Sequence, residues 1–344
     1  MKLQIQRKIG FFGLIIGIIG SLGALPELFS GCHCTPCYGL SLGVEGLYWT
    51  VHQTNLDYAV DFDPTDTDKI LGKGKTHFID YDWKAGARGT IAYKWCEWDI
   101  KGVYTRYENH AKDHINTENS DIDLKASMLH PGTGLENGEK ATGKSDLDYY
   151  TVDLLFGREL CLCSGSVNLH PFFGVRGLRI DQHLKVDYEG EDFVQGNAAR
   201  PARVDWSSEL NALGLHAGLN MFYRARCGFG LYGSFAGSLL SSLTDIRHFQ
   251  KTLDANKNTI STEINLKEKE HVIVPGYHLT TGITWETCYC KRYGFNLRLA
   301  YEFNQWFDIP QLRRYSYNNE GVSGSGTSSH IGLHGATLYA DLSF

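Results

Sequence analysis

The chain has 344 residues, of which 33 are basic and 39 acidic, so its formal net charge is -6 at pH 7. This mildly acidic balance gives no reason to expect a nucleic acid as a partner, because such binding depends on clustered Lys and Arg. Mean hydropathy is -0.28, and no segment after residue 31 approaches 18 consecutive apolar residues, which excludes a transmembrane helix there. A membrane β-barrel stays possible, since its lipid-facing and lumen-facing residues alternate.

The N-terminus has the layout of a signal peptide. Basic residues at positions 2, 7 and 8 precede an apolar run over 9–25, and Pro26 and the small pair Ser30-Gly31 follow. We therefore predict that residues 1–31 are a cleaved export signal. Two alternatives stay open: an uncleaved anchor helix, because the run is near the lower length limit for spanning, and lipidation of Cys32.

From residue 40 onward the chain reads as β-strands. The clearest lies at 295–303, where Phe and Leu on one face alternate with polar residues such as Arg298 and Glu302. Apolar residues at a period of two indicate a strand with lipid on one side and water on the other. The same alternation occurs at 97–107, 148–156, 212–223, 273–285 and 330–344, and more weakly at 41–58, 80–94, 166–182 and 228–242.

The ten predicted strands are joined by connections of alternating length. Short links fall near 95–97, 161–166, 224–228 and 289–294, and long polar ones near 60–77, 110–145, 188–204, 250–269 and 310–329. Short turns on one side and long loops on the other are typical of outer-membrane proteins. We predict an all-β fold over 40–344: a transmembrane antiparallel up-and-down β-barrel of about ten strands with short periplasmic turns and long extracellular loops. A soluble β-sandwich or lipocalin-like barrel is the alternative, with the apolar face inward.

The last strand, His330 to Phe344, has an apolar face that includes Leu338 and Leu342. A terminal strand of this kind needs a neighbour to cover its edge. We predict that it pairs with the first strand near 43–49, which would close the barrel. A C-terminal Phe344 is similar to the assembly signal of outer-membrane barrels, and it places the mature protein in the bacterial outer membrane, with lipid as its partner.

None of the nine cysteines falls in a predicted long loop. Three lie in a short segment, 32–39, that precedes the barrel, and six lie at or beside short turns, so all nine are predicted on the periplasmic face. An exported protein can form disulfides, and an odd number leaves one sulfur unpaired within the chain. Two arrangements fit equally well. The first has four internal disulfides and one free thiol, and the second has crosslinks to a second copy or to other cysteine-rich envelope proteins. A metal site at Cys32, His33, Cys34 and Cys37 is a third interpretation. The nine are Cys32, Cys34, Cys37, Cys96, Cys161, Cys163, Cys227, Cys288 and Cys290.

Several short stretches, together with the barrel pattern, resemble the major outer membrane protein (MOMP)-like family of chlamydia-related bacteria and legionellae. They are Gly46-Leu-Tyr-Trp-Thr50, Phe172-Phe-Gly-Val-Arg-Gly177, Gly228-Phe-Gly-Leu-Tyr-Gly-Ser234 and the terminal Phe344. The resemblance covers roughly 40–344. It implies a pore-forming outer-membrane barrel whose cysteines contribute to envelope crosslinking, although ten strands are fewer than in the larger chlamydial porin.

Function is accordingly expected to be porin-like passage of small hydrophilic solutes, with no cofactor, no metal and no catalytic role. The predicted lumen-lining residues are Glu97, Asp99, Lys101, Asp153, His216, His278, Arg298 and Glu302. A disulfide-crosslinked structural protein with a plugged lumen, or a surface adhesin, is the alternative. An enzyme would need carboxylates and His near the loop rim, and Asp181, His183, Asp187, Asp245 and His248 are the candidates, but no G-x-S-x-G or H-E-x-x-H motif accompanies them.

Overall fold

The computed structural model describes residues 38–62, 74–117, 123–130, 138–162, 166–190, 201–225, 228–253, 259–289, 293–318 and 321–344. The predicted signal peptide, the segment 32–37 and its possible metal or lipid site lie outside these residues. Among the described residues, no helix is long and apolar enough to cross a membrane. The strands are β1 (Tyr38–Gln53), β2 (Asp57–Phe62), β3 (Lys75–Phe78), β4 (Lys84–Trp95), β5 (Trp98–Asn116), β6 (Asp123–Ala126), β7 (Lys140–Arg158), β8 (Leu160–Leu162), β9 (Val167–Glu189), β10 (Ala202–Arg224), β11 (Phe229–Leu253), β12 (Thr259–Tyr289), β13 (Tyr293–Asn318) and β14 (Gly321–Ser343).

Ten long strands form one closed antiparallel barrel. The order is β10-β11-β12-β13-β14-β1-β4-β5-β7-β9, and β9 pairs with β10 to complete the ring. The first and last strands pair along 41–53 and 331–343, with Val44 opposite Ala340. Leu40 and Phe344 exchange two backbone hydrogen bonds of 2.9 Å each. The predicted fold class and the predicted closure are both confirmed.

Two of the predicted long loops are wrong. The chain at 250–269 and 310–329 is mostly strand, because β11 and β12 are separated only by 254–258 and β13 and β14 only by 319–320. As a result β11 has 25 residues and β12 has 31. At about 3.3 Å per residue these strands are roughly 80 Å long or more, whereas the apolar band of such barrels is about 25 Å tall. Much of the barrel therefore stands beyond the membrane.

The composition of the two barrel faces reverses along each long strand. On β9, Phe173 and Val175 point outward and are exposed, but Asp181 and His183 point outward closer to the loops. At that higher level the inward residues are apolar, and Ile180 is fully buried. We call the part on the turn side the membrane half and the part on the loop side the outer half. The boundary follows the last apolar outward residues on five other strands, which are Tyr104, Tyr150, Leu213, Leu243 and Ile273.

Aromatic rings mark both borders of the membrane half. Exposed rings at the turn side belong to Tyr93, Trp98, Tyr223, Phe229, Trp285 and Tyr293, and at the upper border to Tyr48, Tyr104, Tyr277, Tyr301 and Phe307. Two such girdles around an apolar band are the pattern of a barrel that spans a lipid bilayer. The apolar surface is therefore lipid-facing, and the soluble alternative does not apply.

The loop end of the barrel is covered from inside by a small sheet of order β3-β2-β6, which we call the cap. Its Tyr58 and Leu124 are fully buried. The Tyr188 hydroxyl donates to the Tyr58 carbonyl at 2.6 Å, and Arg314 donates to the Asp57 carboxylate at 2.7 Å and to the Ser127 carbonyl at 2.8 Å. These contacts fix the cap to β9 and β13.

Candidate lumen site

A cluster of buried ion pairs fills the lumen of the membrane half; we call it the charged belt. At its centre Arg88 on β4 donates to Glu45 at 2.8 Å and to both oxygens of Glu302 at 2.7 and 2.9 Å. Strands β4 and β13 are separated by β1 and β14 in the sheet, so the Arg88–Glu302 contact cuts across the lumen. The His278 ring lies 3.1 Å from the same Glu302 carboxylate.

A second ion pair occupies the opposite wall. Arg176 on β9 donates to both oxygens of Asp153 at 2.6 and 2.7 Å, and both side chains are buried. Arg176 also reaches Ser238 at 3.4 Å, and His216 lies 2.9 Å from the same hydroxyl. A planar guanidinium held at two points by a carboxylate is a geometrically specific contact, so this side of the lumen is also ordered.

Aromatic rings hold the third cation of the belt. The Arg298 guanidinium lies 4.2 Å from the ring centroid of Tyr232 and 4.5 Å from that of Tyr339. It also donates to Glu45 at 3.3 Å. Buried charges are costly unless paired, and here each of the three arginines has a carboxylate partner.

The belt leaves a cavity of about 120 Å³, too small for a continuous water-filled channel. This agrees with the general expectation that side chains fill barrels of about eight strands, whereas porins of 16–18 strands leave a channel. An aromatic layer lies on top of the belt: the Tyr107 hydroxyl donates to the Trp49 carbonyl at 2.8 Å, and the Arg88 guanidinium lies 5.5 Å from the Trp49 ring. The lumen is therefore closed in this structure.

Seven of the eight predicted lumen residues lie around this cavity: Asp99, Lys101, Asp153, His216, His278, Arg298 and Glu302. Glu97 is instead exposed at the β4–β5 turn and pairs there with Arg158 at 2.7 Å. The period of two assigned it to the inward face, but Glu97 lies in the two-residue turn with Cys96, which has a φ of 54°, and β5 begins only at Trp98.

Three central residues were missed by reasoning from sequence: Glu45, Arg88 and Arg176. Each occupies an inward position between apolar outward neighbours, so the period-two pattern carries the signal. Arg176 was hidden because Phe172 and Phe173 are adjacent and leave the register of β9 ambiguous. The structure places Phe172 inward and Phe173 outward.

The residues considered for catalysis do not form one site. His248 is buried inside the barrel, whereas the four carboxylate and His candidates on the outside are engaged in surface pairs. Asp181 pairs with Arg179 at 2.7 Å, Asp245 with Lys269 at 2.9 Å, and His183 with Asp205 at 3.0 Å. Asp187 contacts Arg203.

Two cysteine side chains lie among the described residues, both near the turn side. Cys96 is exposed with a free thiol, and Cys161 is disulfide-bonded. The others fall outside the part of the chain whose side chains are described, so the connectivity and the crosslinking stay predictions. Within the described part, no group of three or more His, Cys, Asp or Glu side chains could hold a metal ion.

A closed β-barrel with a lipid-facing apolar band, two aromatic girdles and a charged interior defines an outer-membrane protein. Over residues 34–344 the chain matches the family described as the Legionella pneumophila major outer membrane protein precursor, and it belongs to that family. The resemblance read from the sequence is thereby confirmed, as is the location in the outer membrane.

Solved structures with a similar course of the chain are also outer-membrane barrels. The outer membrane protease OmpT from Escherichia coli is 12% identical with a TM-score of 0.45, and 92% of this chain and 99% of that chain are covered. A major outer membrane protein from Thermus thermophilus is 10% identical with a TM-score of 0.31, and 89% of this chain and 99% of that chain are covered. No protein with a curated description matches the chain.

Proposed function

We propose that this protein is a narrow, gated pore for small hydrophilic solutes, and that the closed lumen is one of its two states. The observation that carries the proposal is the interior of the membrane half. Its obstruction is made of charged and polar side chains such as Arg88 and Glu302, which can rearrange, and water and ions can occupy the space that they release.

The charge of the belt limits the selectivity that such a pore would have. Arginines and carboxylates alternate around the lumen, with Glu45 and Glu302 on one side of Arg88 and Asp153 beside Arg176. Rings of a single sign select ions, whereas mixed signs give little preference. We therefore expect small conductance and weak selectivity between cations and anions. The proposal gives the chain no catalytic role and no cofactor.

The test is the conductance of the refolded full-length chain in planar bilayers, with a variant of the gate and a control. We expect rare, small channel steps for the natural protein. Glu302→Gln, which releases Arg88 from one of its two carboxylates, should open the pore more often. Glu97→Gln removes a carboxylate at the exposed turn and should behave as the natural protein. If neither the natural protein nor Glu302→Gln gives any steps, the pore proposal is overturned.

A second candidate is a crosslinked structural envelope protein with a permanently filled lumen. It is favoured by the exposed free thiol of Cys96 at the turn side, where it could form disulfides with a second copy or with other cysteine-rich envelope proteins. Non-reducing gels of outer membranes should then show high-mass species that disappear on reduction and weaken in Cys96→Ser. Monomer alone in both lanes would remove this candidate.

A further inference from the structure

The wall of the barrel opens between β12 and β13 in the outer half. The two strands pair from Tyr289 opposite Tyr293 up to Gly276 opposite Trp306, and no pair beyond that level occurs among the described residues. Above it β12 continues alongside β11, and β13 alongside β14. We call the resulting gap the β12–β13 cleft.

Local sequence explains why the pairing stops there. Pro275 comes directly before the last paired residue of β12, and a proline has no N–H to give to a neighbouring strand. On β13 the register shifts between Trp306 and Ile309, where Asp308 has a φ of 57°. A bulge of this kind bends a strand and ends regular pairing. Phe307, at the upper aromatic border, lies at the base of the cleft, so the cleft begins where the lipid-facing surface ends.

Behind the cleft lies a cavity of about 200 Å³ that is lined from several strands. Trp206 comes from β10, His248 from β11, Glu268 from β12, and Gln311 and Arg313 from β13. One Arg313 nitrogen donates to both oxygens of Glu268, at 2.9 and 3.0 Å. This ion pair bridges the two separated strands, and both side chains are partly exposed, so it stands at the entrance.

Three buried side chains of the cavity carry polar atoms without a hydrogen-bond partner in the described structure. They are both ring nitrogens of His248, the indole nitrogen of Trp206 and the amide nitrogen of Gln311. The exposed fractions of these residues are 3%, 2% and 5%. The Gln311 oxygen already accepts a hydrogen bond from Gln53 at 2.9 Å, which fixes the amide. Buried polar atoms in native proteins are nearly always paired, so unpaired atoms around one cavity point to an occupant that supplies the partners.

The chemistry of these atoms defines the occupant. Burial lowers the pKa of His248 to about 4, so at neutral pH its ring offers one donor and one acceptor. Trp206 and Gln311 offer donors, and Glu268 offers acceptors. Glu268 and Glu270 outnumber Arg313 in the lining, which disfavours an anion. Hydroxyl groups both donate and accept, and the rings of Trp206 and His248 supply flat apolar faces.

We propose that the β12–β13 cleft binds a small uncharged polyhydroxylated solute, of the size of a monosaccharide or cyclic polyol. This site is separate from the charged belt, because the two cavities share no lining residue. The proposal goes beyond the pore and does not depend on it: a closed barrel could bind such a solute, and a conducting one could fail to.

Binding is tested by isothermal titration of the refolded full-length protein with D-glucose, D-galactose and myo-inositol as probes. We expect saturable binding of at least one of them. Trp206→Phe keeps a ring but removes the indole donor, and His248→Phe removes both nitrogens. Each should weaken binding about tenfold or more, the effect expected from losing one buried hydrogen bond. Trp285→Phe makes the same change on the lipid-facing surface and should leave binding unchanged.

A variant at the entrance separates binding from folding. Glu268 is partly exposed, so Glu268→Gln preserves the shape of the site and should fold while it weakens binding. Each variant is checked for barrel formation by comparing the gel migration of unheated and heated samples, because a folded barrel migrates differently from the unfolded chain. No saturable binding of any probe to the natural protein overturns the proposal, because the cavity then holds water only. Equal binding by the natural protein, Trp206→Phe and Glu268→Gln, or preference for inorganic phosphate over the sugars, also overturns it.

Discussion

The membrane half and the outer half of the barrel use the same ten strands in opposite ways. In the membrane half, Leu219 on β10 faces lipid and His216 is buried in the lumen. Closer to the loops on the same strand, Glu209 faces the outside and Leu210 is buried. The surroundings outside the barrel therefore decide which face is apolar. Below the border the exterior is hydrocarbon, and above it the exterior is water, so the apolar core moves inside.

The two halves also differ in how their interiors are stabilised. The interior of the membrane half is held together by buried ion pairs, such as those of Arg88 with Glu45 and Glu302. The outer half has an ordinary hydrophobic core, with Ile180 and Leu210 fully buried, and burial of such side chains contributes about 1.5–3 kcal/mol each. The following substitutions test this difference.

The largest effect is expected at the centre of the charged belt. Arg88→Met leaves Glu45 and Glu302 buried without their main partner, and breaking a buried pair in this way costs about 3–5 kcal/mol. The free energy of unfolding in lipid vesicles, measured by urea titration, should fall by that amount. Combining Arg88→Met with Glu302→Gln should cost less than the sum of the two single changes. Additive losses would show that the two side chains are not coupled.

The next largest effect compares two outward positions on one strand. Leu219→Arg places a charge in the middle of the lipid-facing band, which costs about 2–4 kcal/mol. Glu209→Arg places the same side chain outward in the outer half, between the acidic neighbours Asp181 and Asp245, and should change stability by less than about 0.5 kcal/mol. Both are measured by the same urea titration. Equal losses at the two positions would contradict the border drawn between the halves.

A pH effect is expected in the outer half, at His248. Burial lowers its pKa to about 4, compared with about 6.5 in an unfolded chain. Between these pH values the unfolded state binds more protons than the folded state. The free energy of unfolding therefore rises by up to about 3 kcal/mol from about pH 4 to 6.5 and stays constant above that range. Urea midpoints at a series of pH values should show this slope, and His248→Phe should flatten it. An unchanged slope in the variant would assign the effect to other groups.

The smallest effect is expected for an ion pair on the outside of the outer half. Arg179 pairs with Asp181 at 2.7 Å, but half of the Arg179 side chain is exposed. Such pairs contribute about 0–1 kcal/mol, so Arg179→Ala should lower stability by less than about 1 kcal/mol, and high salt should remove even that difference. A loss comparable to that of Arg88→Met would mean that the outer surface is less hydrated than its exposure indicates.

The same comparison explains what could be predicted from the sequence. In the membrane half the alternation of residues such as Leu213 and Leu215 with polar neighbours indicated the strands, their faces and the pairing of the two ends. In the outer half the apolar residues change parity. The predicted loops 188–204 and 250–269 therefore included the first residues of β10 and β12, and 205–211 and 270–272 were assigned to no strand. The apolar residues of these segments, such as Trp206 and Leu210, are at the inward, even-numbered positions, whereas the apolar residues of the membrane half of β10 are at the odd-numbered ones.

The partners within the charged belt could not be derived in this way. Arg88 and Glu302 are separated by 214 positions and by two intervening strands, and no local pattern links them. Pro275 was visible in the sequence, but only the fold shows that the pairing of β12 with β13 ends beside it, opposite the bulge at Asp308. Long-range geometry, rather than periodicity, therefore determined both candidate sites.

The outward face of the outer half has a consequence for how this protein can evolve. The strands of the outer half are stabilised from the inside, so their outward side chains contact neither lipid nor core. Examples are Lys185, Arg247, Lys267 and Lys269. These positions can be exchanged with almost no loss of stability, whereas the band below them has to stay apolar. The outer half therefore presents to water a surface whose side chains can change while the barrel that supports it stays the same.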